Sequence, residues 1–512
     1  MSESRTKASI RNSGTSVLAQ TASIVLDFIG RTFFIKFLNV DYLGVNGLFA
    51  NIITLLSLAE LGVGTAIVYM MYKPIAEGDE KKVAAYNQLF RKIYNAIGIF
   101  IICVGLCVIP FLNSIIRSTP DITENLSIVY VLFLLNTSVS YFYTYKRSLL
   151  IAHQKEYLNN KNIILFAIIK DVSLIILLYL FHNYYIYLGA QIVITFMSNI
   201  AISQLVNKLY PQYVHEKGGE ISKVELRTIV KNTMGMVCHK IGSVIVSGTD
   251  NILISSFVGI STVGVFSNYK MIQKVSSSII SRGVNSVTAS VGQLAAISDG
   301  AKVLQVFKRI YFINLSLTYF LTVFFYALVD SFIRIWIGEA FLLDSLSVFI
   351  IAVNLFFNQV RVPSQVIINS YGVFWEVRWK SIVEVIVNLS SSLFLCYVMD
   401  MGLPGILAGT ILSNITTNLW WEPFAAYRYG MHQKVRYYYL RFIKDVIVLF
   451  LTLFLIRFIN TYMNLYVKGD ISLFISEFVT SLFCSVILFA VFYHKEEDFQ
   501  KIIVKFVHLK VK

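Results

Sequence analysis

From position 16 to position 493 the chain is an almost continuous succession of apolar segments. They number about fourteen, each near or above the roughly 20 residues a helix needs to cross a bilayer. The expected spans are 16–38, 43–72, 86–116, 126–151, 162–181, 185–205, 230–258, 263–291, 306–337, 346–370, 381–397, 406–427, 442–462 and 473–493. Almost no chain is left between them for a soluble domain. With 56% hydrophobic residues, 14% charged residues and a mean hydropathy of +0.67, a soluble fold would expose far too much apolar surface. The expected class is an all-α polytopic membrane protein.

The formal net charge of +15 would suggest nucleic acid on a soluble protein. Here the cations collect in alternate connections. Arg5, Lys7 and Arg11 lie at the N-terminus, and Lys73, Lys81 and Lys82 in the second connection. Lys146, Arg147, Lys155 and Lys161 mark the fourth, and Lys208, Lys217, Lys223 and Arg227 the sixth. Lys302, Lys308 and Arg309 mark the eighth, Arg378 and Lys380 the tenth, and Arg428, Lys434, Arg436, Arg441 and Lys444 the twelfth. Lys495, Lys501, Lys505, Lys510 and Lys512 follow the last span. The connections 39–42, 259–262 and 400–401 are short and carry few cations. Positive charge stays on the cytoplasmic side, so both termini are expected there, with an even number of spans. No nucleic-acid partner is expected, because no basic soluble domain exists to bind one.

Cys103, Cys107, Cys238, Cys396 and Cys484 all sit in apolar segments and form no CxxC pair. The histidines are scattered, so neither a metal site nor a cofactor is expected. The first 14 residues are polar and basic, without the apolar core and small-residue cleavage site of a signal peptide, so the first span is expected to be retained.

Residues 11–52 and 231–272 align without a gap. Asn12 pairs with Asn232, Ser23 with Ser243, Phe37 with Phe257, Gly44 with Gly264, Val45 with Val265 and Ile52 with Ile272. The second copy begins just after the long polar connection 210–228. The expected organisation is an N-lobe over 1–210 and an inter-lobe linker over 211–229. A C-lobe over 230–430, two further helices within 431–493 and a basic cytoplasmic tail over 494–512 follow. Both copies start from the cytoplasmic side, so the repeat is parallel, a common transporter plan with the site between lobes. The alternative is a duplication kept only for packing.

Ionisable residues inside spans are costly and usually face a bundle interior or a watery cavity. Asp27 and Arg31 stand one turn apart on one face of the first span. Glu60 lies in the second span and Asp250 in the seventh. Lys270, Lys274 and Arg282 project to one side of the eighth, and Arg361 lies in the tenth. The repeat sets Arg31 opposite Asn251, beside Asp250. Asp27 with Arg31 reads either as a structural pair or as cavity lining, and Lys270 and Lys274 either line a cavity or snorkel. Arg282 and Arg361, far from span ends, read as cavity residues. His239, Lys240, Glu384 and Lys36 lie near span ends and are expected to meet the interface. A cavity richer in bases than acids suits an anion such as a lipid-linked pyrophosphate, because the guanidinium fork matches phosphate. It does not suit an organic cation.

The stretch from Gly248-Thr249-Asp250-Asn251 to Phe257-Val258-Gly259, continued by Val263-Gly264-Val265-Phe266-Ser267-Asn268-Tyr269, resembles the polysaccharide flippases of the MOP superfamily. So do Phe37-Leu38-Asn39-Val40-Asp41-Tyr42-Leu43-Gly44, Leu58-Ala59-Glu60-Leu61-Gly62-Val63-Gly64-Thr65-Ala66 and Phe332-Ile333-Arg334-Ile335-Trp336-Ile337-Gly338. The resemblance covers residues 12 to about 427 and rests on the order and spacing of these stretches. It implies two pseudo-symmetric six-helix lobes around a central cavity, with two C-terminal helices, as in MATE-like transporters. It implies alternating access that turns an undecaprenyl-pyrophosphate-linked oligosaccharide across a bacterial or archaeal cytoplasmic membrane for capsule or exopolysaccharide export.

In that setting Arg31, Lys270, Lys274, Arg282 and Arg361 are the candidates for binding the pyrophosphate and acidic sugars. Asp27, Glu60 and Asp250 either couple transport to a proton or Na⁺ or hold the arginines. The partners implied are the lipid-linked substrate, membrane lipids and a polysaccharide polymerase with its export machinery. The alternatives within the superfamily are a multidrug or organic-cation antiporter and a peptidoglycan-precursor flippase. A membrane glycosyltransferase or polymerase needs catalytic carboxylates on an external loop, and the external connections 116–126 and 338–345 hold no paired-carboxylate motif. No enzymatic activity is expected. The tail 499–512 alternates Lys with Ile, Val, Phe and Leu, and reads either as an amphipathic helix on the anionic leaflet or as a frayed basic end.

Overall fold

The computed structural model describes residues 5–500 except 61–62, 117–119, 216–218, 220, 286, 289–290, 293, 295–298 and 374. Among the described residues all regular structure is helical and there is no strand. The tail 501–512, where the amphipathic reading falls, lies outside them. The chain divides into two compact units, Met1–Gly264 and Val265–Lys512.

The first unit holds α1 (Arg5–Phe37), α2 (Val40–Leu56), α3 (Val63–Glu77), α4 (Glu80–Val108) and the single turn α5 (Leu112–Ile115). It continues with α6 (Leu126–Tyr141), α7 (Thr144–Ala152), α8 (Glu156–Phe181), α9 (Tyr184–Leu209), the short α10 (Pro211–His215) and α11 (Lys223–Leu253). The helix α12 (Ile260–Asn285) begins in the first unit and runs into the second. The second unit holds α13 (Gly300–Ile337), α14 (Ser345–Val360), α15 (Val362–Tyr371), α16 (Arg378–Leu393), α17 (Gly402–Ser413), α18 (Leu419–Ala425), α19 (Arg436–Tyr466) and α20 (Asp470–Tyr493).

Among the described residues eight helices are long and apolar enough to cross a membrane, or nine if α6 and α7, bent by 40° against each other, form one span. The chain is a multi-pass membrane protein. The expected spans 43–72, 230–258, 263–291, 406–427 and 442–462 fall on helices outside that set. The first of these is broken after α2 by a 3₁₀ turn, Ser57–Glu60, and the fourth is interrupted by π turns at Asn414–Asn418 and Ala426–Gly430. Such irregular turns at membrane depth are tolerated where protein buries them and often mark functional places.

Local signals set the helix starts. Asn39 caps α2 by accepting from the backbone N–H groups of Asp41 (3.0 Å) and Tyr42 (3.3 Å). Ser222 and Glu225 form a reciprocal capping box at the start of α11.

In the first unit α1 packs on α8, α8 on α9, α6 on α9, α3 on α4 and α7, and α11 on α2. A tyrosine-rich cluster around Phe90, Tyr94, Tyr141 and Tyr145 fills its interior. The start of α12 crosses the start of α2 with backbone nearly touching backbone. A Cβ on Gly44 would collide with the carbonyl oxygen of Ile260, and one on Gly264 with that of Val40. Gly44 and Gly264 are equivalent positions in the repeat, as are Val40 and Ile260, so the collisions are reciprocal. Asp41 and its repeat partner Ser261 are also joined, the Ser261 hydroxyl donating to the Asp41 carboxylate. Glycine is required at both crossing points because only a residue without Cβ allows this approach.

In the second unit α13 packs on α14 and α20, α19 on α20, and α16 lies along α17. Gly405 and Gly409 bring that last pair together. A Cβ on Gly409 would stand 2.6 Å from the backbone nitrogen of Ser392, and one on Gly405 would stand 2.8 Å from the carbonyl carbon of Leu395. Paired small residues four apart are a common way for membrane helices to approach closely.

Candidate functional site

A buried ionic network joins α16 and α18 to the junction of α14 and α15. Arg361, at the junction of α14 and α15, sets its Nε 3.4 Å from the Glu422 carboxylate of α18 and donates from its guanidinium to Asn414 Oδ1 (3.2 Å). Glu422 also receives the Lys380 ammonium at 2.9 Å, and Lys380 reaches Glu384 at 3.3 Å. Asn418 donates to Glu384 (2.7 Å) and to Asn414 (2.8 Å). All four charged residues are less than a tenth exposed. Two bases and two acids cancel, and amides fill the remaining acceptor sites, which is what makes a buried charge cluster tolerable.

Glu384, expected at the interface, is therefore buried, held between Lys380 and Asn418. Arg361, expected to line a cavity, is ion-paired. Glu422 and Lys380 were absent from the sequence candidates. Glu422 lay within an expected span among Trp420, Trp421 and Pro423, and the in-span charge rule applied to it as well.

On α12, Lys270 and Lys274 are exposed, and the Lys270 ammonium sits 5.4 Å from the centre of the Phe266 ring. The Arg282 side chain lies outside the described residues.

In the first unit α1, α8 and α9 bring a second group together. Arg31 is half-buried and interacts electrostatically with Tyr187 and Asp27, while Asp27 is exposed. The structure adds Asp171 of α8, which the sequence reading passed over. Its carboxylate is buried against α1 at Gly30, where a Cβ would lie 3.7 Å from Oδ1, and it pairs with Lys170 at 3.5 Å. Tyr187 interacts with Asp171, Asp27 and Arg31 alike. Glu60 stands apart from this group, half-buried and hydrogen-bonded to the Tyr141 hydroxyl. Asp250 is buried on α11, and its neighbour Asn251 donates to the Gly47 carbonyl of α2 at 3.4 Å.

A third group closes one end of the second unit. Tyr269 donates to Asp330 (2.7 Å), Ser331 donates to Glu477, and Arg334 lies 3.4 Å from Glu339. Arg457 donates to Ser345. Asp330, Ser331, Arg334, Ser345, Arg457 and Glu477 line a cavity of about 130 Å³. Its carboxylates, Asp330 and Glu477, balance its guanidiniums, Arg334 and Arg457, so the lining carries no net positive charge to attract an anion.

Among the described residues no group of three or more His, Cys, Asp or Glu side chains could hold a metal ion. What the arrangement provides is charge held inside helices, and that suits binding and translocation of a charged solute.

The sequence model for the polysaccharide biosynthesis protein family matches residues 9–291. Among curated proteins none matches the chain. Among solved structures it resembles an inward-facing multidrug-resistance MATE transporter of the MOP superfamily, with a TM-score of 0.62 and 12% identity over 79% of this chain and 94% of that one. It also resembles the lipid II flippase MurJ in an inward closed conformation, with a TM-score of 0.59 and 15% identity over 93% of this chain and 98% of that one. A MOP-superfamily transporter from Pyrococcus furiosus, described as having a binding pocket of reversed polarity, matches with a TM-score of 0.57 and 11% identity over 84% and 97%. These likenesses establish the fold of MOP-superfamily transporters.

Proposed function

We propose, from the premise that this chain belongs to the polysaccharide biosynthesis protein family, that it is a flippase for a lipid-linked oligosaccharide. The single observation that carries the reading is the match of residues 9–291 to that family, in a chain whose described residues form regular structure that is all helical. The substrate is a polyprenyl-pyrophosphate-linked repeat unit turned from the cytoplasmic to the external leaflet by alternating access. The chain lies in the cytoplasmic membrane with both termini inside, in keeping with the alternation of basic connections. It works beside the polymerase that consumes the flipped unit and performs no bond chemistry of its own.

Lys270 and Lys274, exposed on α12, meet the anionic headgroup as it passes, and Arg31 and Arg282 are the further candidates for that contact. Arg361 acts through its pair with Glu422, so its contribution is to hold the second unit's interior in register. Asp27, with the buried Asp171 beside it, carries the coupling cation or proton. Glu60 and Asp250 are the remaining acids for that role.

The test is deletion of the gene followed by lipid extraction. A complete oligosaccharide on its polyprenyl carrier, trapped on the cytoplasmic leaflet, supports the proposal. Accumulation of peptidoglycan precursor instead, or intact surface polymer with no trapped intermediate, removes it.

A further inference from the structure

The second unit gives each of its deeply buried bases a carboxylate. The first unit does not. Lys146 of α7 is only 9% exposed, and its ammonium donates to the Ser203 hydroxyl of α9. The adjacent Arg147 is half-buried and donates to Asn159 Oδ1 of α8 (2.7 Å) and to Asn199 Oδ1 (3.0 Å) and Ser198 Oγ (3.4 Å) of α9. All four acceptors are neutral. Among the described residues neither base forms a salt bridge.

The charged group whose field reaches Lys146 is another cation, Arg91 of α4. Arg91 is exposed, and its guanidinium lies 5.8 Å from the centre of the Tyr145 ring, at the same distance from that ring as the Lys146 ammonium. Arg91 and Lys146 thus meet at the Tyr145 ring, and Arg147 follows Lys146 on α7.

A buried cation without a countercharge is expensive, and a second and third beside it add repulsion. Amide and hydroxyl oxygens orient these donors without cancelling their charge. Lys146 has three donors and Arg147 five, more than the acceptors around them satisfy. Held donors with uncancelled charge in a low-dielectric setting are the ingredients of an anion site.

We propose that Arg91, Lys146 and Arg147 form a binding site for a phosphate-class anion. The fork of Arg147 and the compact ammonium of Lys146 suit the oxygens of a phosphate or pyrophosphate ester. A single carboxylate would leave two of the three charges uncancelled, whereas a pyrophosphate carries enough negative charge to answer them. By the helical rise, Lys146 lies about 9 Å from the end of α7. An amphiphile with its phosphate at headgroup level can reach that depth. The headgroup is either that of the translocated substrate, in which case the site rests on the flippase reading, or that of a membrane phospholipid.

The probes are farnesyl pyrophosphate, inorganic pyrophosphate and phosphatidylglycerol nanodiscs, titrated against the full-length protein. Lys146→Gln and Arg147→Gln are each expected to weaken farnesyl pyrophosphate binding by about tenfold or more, the usual scale for losing a charge-assisted contact. Arg147→Lys should weaken it less. The unliganded thermal midpoint should hold or rise in Lys146→Gln, because an uncompensated buried charge is gone. The exposed Arg91→Gln variant tests the site without touching the core and should weaken binding as well.

Displacement of the probe by phosphatidylglycerol assigns the site to lipid headgroups, and failure to displace assigns it to the substrate. Either result supports the phosphate-class site. Binding unchanged within about twofold in all three Gln variants, or a lowered midpoint with unchanged binding, overturns it. Lost binding with normal polymer export in cells would keep the site and count against the flippase reading alone.

Discussion

Lys380 and Glu422 form a buried ion pair at 2.9 Å that joins α16 to α18, and each holds a second partner of opposite charge. Glu422 is the acid shared by both bases. Glu422→Gln therefore leaves Arg361 and Lys380 with only Glu384 between them. The expected loss is about 3–5 kcal/mol, the scale for breaking a buried pair, read as a lower thermal midpoint in detergent. Lys380→Met should be similarly harmful alone. Lys380→Met combined with Glu384→Leu should recover most of that loss, because Arg361 and Glu422 remain as a neutral pair.

Arg361→Ala leaves Lys380 as the base shared by Glu422 and Glu384, so it too should lower the thermal midpoint. The variant should insert at normal level and lose export. Normal surface polysaccharide at normal protein level would remove Arg361 from the transport cycle.

The reciprocal crossing of α2 and α12 gives a sharp steric prediction. Gly44→Ala and Gly264→Ala each drive a methyl group into a backbone carbonyl that cannot rotate away. Overpacking of this kind costs about 1–3 kcal/mol or more, so both variants should lose folded protein in a detergent thermal shift. Gly283→Ala, at a position where an added Cβ meets open space, should not.

How far this was legible in the sequence differs by feature. The all-helical, multi-pass character was readable, because long apolar runs are a local pattern, whereas the Asn39 and Ser222 caps, though equally local, were not among the sequence expectations. The pairing of Gly44 with Gly264 in the repeat was visible, though not that the two residues meet. Lys380 counted as a connection cation because it stands at the edge of its span. It is buried with Glu384 and with Glu422 of α18, a contact between separate elements that hydropathy does not encode. Asp171 and Glu422 lay in plain sight within spans, while their partners are set by packing between helices distant in sequence. The breaks at Ser57–Glu60 and Asn414–Asn418 have no apolar-pattern signature at all.

Outside the spans, Glu225 links the start of α11 to α4. Its carboxylate accepts from Lys82 (3.0 Å) and Tyr86 (3.0 Å). The Lys82 contact comes first among the causes that hold its pKa down, from 4.5 to about 2. A depressed acid contributes its stability above the unfolded value and loses it as pH falls toward the folded one. The midpoint advantage of wild type over Glu225→Gln should be full at pH 7 and shrink below pH 4.5. An advantage independent of pH would contradict the Lys82 pairing.

Asp27 and Arg31 can be separated by a double-mutant cycle. If they are a structural pair, Asp27→Asn and Arg31→Gln each lower export and thermal midpoint more than the double variant does. If Asp27 carries the coupling ion with Asp171, the double variant is as inactive as Asp27→Asn, and Asp171→Asn abolishes gradient-dependent transport while the protein stays folded.

The most direct test of the central claim is a leaflet assay. Purified protein is reconstituted into liposomes carrying a fluorescent polyprenyl-pyrophosphate oligosaccharide, and a membrane-impermeant quencher is added outside. The flippase account predicts that an imposed ion gradient moves probe between leaflets well above the rate in protein-free liposomes. Translocation equal to the protein-free rate, by protein shown to be folded in the same liposomes, would contradict it.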